Sequence, residues 1–114
     1  MPESDAQQAI ALANAILDGS VPLILGCRRM LGPLRRLGVE MDVEFRLFVG
    51  VDSETDHLPV DPEERKLWNP KSLIEKDAEI EKYTAWARKL EFRAACEAVI
   101  RRFGKDGSST AVRK

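Results

Sequence analysis

One hundred and fourteen residues make one domain's worth of chain, with room for a single modest core and none for a second. At 44% hydrophobic and 32% charged residues the composition excludes a disordered or collagen-like chain. A net charge of −1 excludes a globally basic binder of nucleic acid or anionic membrane.

In chain order, Ser4 followed by Gln7 is a capping-box pattern and predicts a first helix. Ala6, Ala9, Ile10, Ala13, Ile16 and Leu17 share one face of it, and Gly19 ends it. Pro22 marks a second start, since proline's missing N–H has no partner to lose in a first turn. Leu23, Ile24, Cys27, Met30, Leu31, Leu34 and Leu37 form its stripe, and Gly38 closes it. Pro33 inside this run removes the bond to the Arg29 carbonyl, which predicts a kink or a restart. Residues 42–52 are ambiguous. Val43, Phe45, Leu47, Val49 and Val51 alternate with polar residues as in a single strand, yet no second alternating run exists to pair with it. The expectation is therefore helix, with Asp42 as N-cap.

Asp61 before Pro62, Glu63 and Glu64 predicts a short helix ending near Trp68. From Asn69–Pro70, or from Ser72 with Glu75, a long last helix meets no glycine or proline until Gly104. It would run ~48 Å, longer than a domain of this size is wide. Leu73, Ile80, Tyr83, Ala87, Leu90, Ala94 and Ala98 form one stripe on it, while Phe92, Cys96, Val99 and Phe103 form another on a different side. A helix apolar on two faces is surrounded, so 90–103 is expected to be the central core helix and 72–86 a solvated arm. These elements predict an all-α, compact domain of four to five helices over 1–104, with a disordered polar tail at 105–114.

Glu3 and Asp5 stand where a secretory signal carries basic residues. The densest apolar stretches, 21–27 and 45–51, are far shorter than the ~20 residues that span a bilayer. The expectation is a cytoplasmic protein with no membrane partner. Cys27 and Cys96, sixty-nine positions apart, have no zinc-ligand spacing and read as buried free thiols.

The near-zero total hides a polarised chain: residues 1–39 carry +1, residues 40–64 carry −8, and residues 65–114 carry +6. Clustered like charge is either neutralised within the fold or exposed to meet a basic partner, and the sequence leaves that choice open. Arg28, Arg29, Arg35 and Arg36 lie together on the second helix. They read as a solvated face rather than a phosphate track, because no aromatic residue interleaves to stack bases.

Residues 52–59 concentrate Asp52, Glu54, Asp56, Ser53, Thr55 and the only histidine, His57. A calcium loop would place Glu63 at its twelfth position, but His57 occupies the sixth, where the turn demands glycine. Asp52, Asp56 and His57 supply the one candidate metal or metal-dependent hydrolytic set, a weak one with a single imidazole. Ser53 or Thr55 with His57 lie too close in sequence for a nucleophile–base pair to reach productive geometry. The bland reading is a hydrogen-bonded helix end before Pro59.

The string VGVDSETDHLP at 49–59 resembles a phrase carried by a family of small uncharacterised bacterial helical proteins. A looser likeness runs back to LDGSVPLILGCRRM and forward through Arg65, Trp68 and the helix ending IRRFG, about residues 8–104 in all. What the resemblance implies is a compact cytosolic protein of the immunity or antitoxin type, with no catalytic residue to carry over. The expected function is accordingly a non-enzymatic protein-binding module without cofactor, an immunity protein blocking a toxin domain that presents a basic surface. Asp52, Glu54, Asp56, His57, Glu63 and Glu64 are its candidate partner-binding residues. The alternatives are the metal-binding or hydrolytic domain at Asp52, Asp56 and His57, and a homodimeric scaffold joined through 72–86 and Trp86.

Overall fold

Ser4 opens helix α1 (Asp5–Asp18): its hydroxyl accepts from the Gln7 amide at 3.1 Å, and the Gln7 side chain accepts from the Ser4 amide at 3.0 Å. Gly19 ends the helix at φ 82°, a conformation open to glycine without a Cβ penalty. The structure, a computed structural model, describes residues 4–108, with side chains as far as residue 104. Helix α2 (Leu23–Arg36) follows directly, with Pro22 at its N-cap. A Cβ on Gly26 would lie 2.4 Å from Ile16 Cγ1, so glycine is what lets α1 and α2 cross in contact. The helix continues through the buried Pro33 to Arg36, so of the kink or restart expected there the restart does not occur. Gly38, at φ 75°, turns the chain away.

Residues 43–52 are helical, not a strand. A 3₁₀ turn (Val43–Phe45) leads into α3 (Arg46–Thr55), and Phe45, Phe48 and Val51 are fully buried. Asp42 does not cap it with its side chain. That carboxylate accepts from Arg102 at 2.6 Å instead. The single turn α4 (Pro62–Arg65) is capped by Asp61, whose carboxylate accepts from the Glu63 amide at 2.8 Å, and it stops short of the expected Trp68.

The expected long last helix is two helices, α5 (Pro70–Arg88) and α6 (Phe92–Ser108), parted at residues 89–91 with no glycine or proline there. The reason lies in the two stripes. The apolar face shifts phase near Leu90, so one straight rod cannot turn both stripes to the same core; the break lets α6 bury Cys96, Val99 and Phe103 while α5 lays Ile80, Tyr83 and Trp86 partly covered against that core. Nor does Gly104 end α6, which runs to Ser108. Of the expected tail, 105–108 thus continue the helix and 109–114 lie outside the described residues.

Six helices and one 3₁₀ turn, with no strand among the described residues, make an all-α domain. Helix α1 packs on α2 and α6, α2 on α3 and α5, and α6 on the 3₁₀ turn and α3. Central burial is shared between α6 and α2, whose Ile24, Cys27, Met30 and Leu34 are almost wholly enclosed. Phe45 and Phe103 stack at 5.9 Å where the 3₁₀ turn meets α6. In α5 only Ala87 is buried, and its first half is an arm. The molecule measures 54 × 33 × 24 Å.

Candidate functional site

Most acids of the middle segment find partners within the fold. Arg28 Nε donates to Asp52 at 3.0 Å, and its guanidinium also donates to the carbonyls of Leu58 and Thr55 and lies 3.7 Å from Glu64. Arg29 pairs with Asp61, Arg35 with Glu40, and Arg102 with both Asp42 and Glu44. Glu63 holds Lys66 at 3.0 Å, an exposed pair of adjacent turns worth little. Of the nine carboxylates in 40–64, seven are therefore in ion pairs, and the −8 is consumed largely inside the molecule. Of the candidate partner-binding residues, Asp52, Glu63 and Glu64 thus each carry an ion pair within the molecule, with Glu63 still exposed and Glu64 half-buried. The arginine row is spent in the same exchange, Arg36 completing it with Asp5 at 2.6 Å.

Two carboxylates of the segment, Glu54 and Asp56, have no ion-pair partner among the described residues. Both are exposed at the C-terminal end of α3. Glu54 faces a groove of about 540 Å³, lined with it by Glu79, Lys82, Tyr83 and Trp86 of α5. The Tyr83 and Trp86 rings meet edge to face, 6.2 Å apart at 89°. His57 sets its ring edge-on to Tyr83 at 5.9 Å and its Nε2 3.8 Å from Glu79. Lys76 donates to Glu79 at 3.0 Å, and that bond holds the Glu79 carboxyl below its ordinary range. Beyond Trp86 the groove continues past Leu47, Val51 and Leu90, with Glu54 and Trp86 common to both stretches.

The residues weighed for a metal or hydrolytic set are turned to different partners. Asp52 is turned to Arg28 and His57 to Tyr83, and no group of three or more metal-ligating side chains converges among the described residues. Thr55 is buried, its hydroxyl donating to the Val51 carbonyl at 2.6 Å, which is the helix-end bonding expected of it. Cys27 and Cys96 are buried free thiols, and burial pushes them up to about 12 and about 11.

Glu54 and His57 were therefore legible as surface candidates, while their neighbours on α5 were not. Tyr83 and Trp86 read only as members of a stripe or of a dimer contact; their spacing of three on a helix with few buried residues was the available signal. Comparison with family models, with curated proteins and with solved structures gives no match. No described helix is long and apolar enough to cross a membrane.

Proposed function

We propose that this protein is a non-catalytic binding module that docks a partner protein along the groove between α3 and α5. Glu54 is the observation that carries this reading: it is left unneutralised in a segment whose other acids are nearly all paired, and it faces two half-covered aromatic rings. Aromatic side chains beside a polar rim are the composition of interface centres. A lone carboxylate supplies orientation and attracts a basic surface. Docking of this kind needs shape and charge, with no reacting group. The resemblance at 49–59 supports the finer assignment, in which the partner is a toxin domain that the module blocks by covering it.

A photo-crosslinking amino acid placed at position 54, and as a control at the exposed Asn14 of α1, tests the reading in the native cell. A discrete adduct from 54 that is absent from 14 is the expected result. Equal labelling from both positions, or none from 54, overturns it, and mass spectrometry of the adduct decides the toxin assignment.

A second reading, self-association through the arm, is favoured by Leu67 and Ile74, which are 87% and 72% exposed. Sedimentation velocity across a concentration range separates the two. The docking-module reading expects a monomer throughout.

A further inference from the structure

We infer that the α3–α5 groove holds a pocket for one cationic side chain, the guanidinium or ammonium group of an arginine or lysine presented by a partner polypeptide. The inference rests on the binding-module reading and names what that site takes. Its ingredients can be seen assembled elsewhere in the same fold. The Arg102 guanidinium lies 5.4 Å from the centre of the Phe45 ring and 5.9 Å from that of Phe103, and donates to Asp42 and Glu44 at 2.6 and 2.7 Å. Two aromatic rings and two carboxylates hold one cation there.

The groove brings together two rings and two carboxylates as well, in another arrangement: Tyr83 and Trp86 at right angles, Glu54 from α3 and Glu79 from α5. The electron-rich ring faces attract a cation, tryptophan most strongly. Glu54 is the anionic anchor, since Glu79 already serves Lys76 and His57. Lys82, which also lines the pocket, opposes an incoming cation, so its removal strengthens binding. A polypeptide fits better than a free amine because the groove runs on, through Glu54 and Trp86, into a stretch where Leu47, Val51 and Leu90 lie between Arg46 and Glu91. An apolar neighbour of the basic residue lies there.

The test uses the full chain with labelled indole nitrogens, Trp86 reporting and Trp68 serving as the internal reference. The probes are acetylated, amidated Leu-Arg-Leu and Leu-Lys-Leu, the citrulline analogue, and tetramethylammonium chloride, all at matched ionic strength. The Arg and Lys peptides are expected to shift Trp86 saturably and leave Trp68 in place, with the citrulline peptide weaker by about fivefold or more. Glu54→Gln weakens the Arg peptide about threefold or more, and Lys82→Ala tightens it. Equal binding of the citrulline peptide, an unchanged affinity in Glu54→Gln, or matching shifts at both tryptophans overturns the pocket. Tetramethylammonium binding as tightly as the peptides overturns the polypeptide assignment. Failure here with position-54 adducts intact removes only the basic side chain; loss of those adducts with peptide binding intact removes only the module reading.

Discussion

Arg28 spends its whole guanidinium inside the molecule. It bonds Asp52, the carbonyls of Thr55 and Leu58, and lies near Glu64, tying the end of α3 and the loop after it to α2. At 22% side-chain exposure these bonds are only partly replaced by water when they break. Arg28→Met keeps the apolar stem and removes the donors, and is expected to lower unfolding free energy by about 2–3 kcal/mol in urea titration; a loss under about 0.5 kcal/mol makes the network ornamental.

The thiols give a residue-scale prediction in pH. Burial raises Cys27 and Cys96 above the ordinary 9.0, to about 12 and about 11, so the folded state holds their protons more tightly than the unfolded chain does. Their contribution to stability is complete below pH 9 and is lost as pH rises from there toward 11 and 12. At pH 8 neither thiol is expected to react with a disulfide reagent until the protein unfolds, and the labelling rate should follow the denaturation curve.

Among the elements, α1 and α2 meet where Gly26 leaves no room for a methyl group. Gly26→Ala must push Ile16 or the α1 axis aside, and about 1–3 kcal/mol of destabilisation is expected, read as a fall in Tm. The arm is held differently. Arg65 donates to both carboxylate oxygens of Asp77, at 2.7 and 3.1 Å, fastening α4 to α5, and the bond holds the Asp77 carboxyl below its ordinary 3.8. A depressed carboxylate stabilises above its unfolded pKa and loses that contribution as pH falls through its folded value. Asp77→Asn should quicken amide exchange in residues 70–80 at neutral pH while leaving exchange in α2 unchanged.

The same elements explain what could be read from residues alone. Caps and stripes announce α1, α2 and the start of α5, because Ser4, Pro22 and Asn69 act on their own neighbours. The break at 89–91 carries no local breaker; it exists because two stripes must reach one core, and that core is built by chain far away. Arg102 meets Asp42 and Glu44 across about sixty residues, and Glu54 meets Trp86 across about thirty, so neither meeting has a local signature. Counting charge along the chain located the acidic middle but could not pair it.

Across the whole molecule, the core is closed by its first and last helices. Ala9, Ala13 and Ile16 of α1 belong to one cluster with Ala95, Cys96, Val99 and Phe103 of α6. A fragment ending at residue 91 lacks one wall of that cluster, and its far-ultraviolet dichroism is expected to show no cooperative thermal transition. A fragment that melts sharply would place the stabilising core in α2 and α3 alone.

This closure bears on synthesis. While the ribosome still encloses α6, α1 has emerged without its main neighbour, and Asp42 and Glu44 repel each other without the arginine that later bridges them. The nascent chain therefore reaches its native state only once α6 has emerged and packed on α1. Until then its apolar helix faces are open to chaperones.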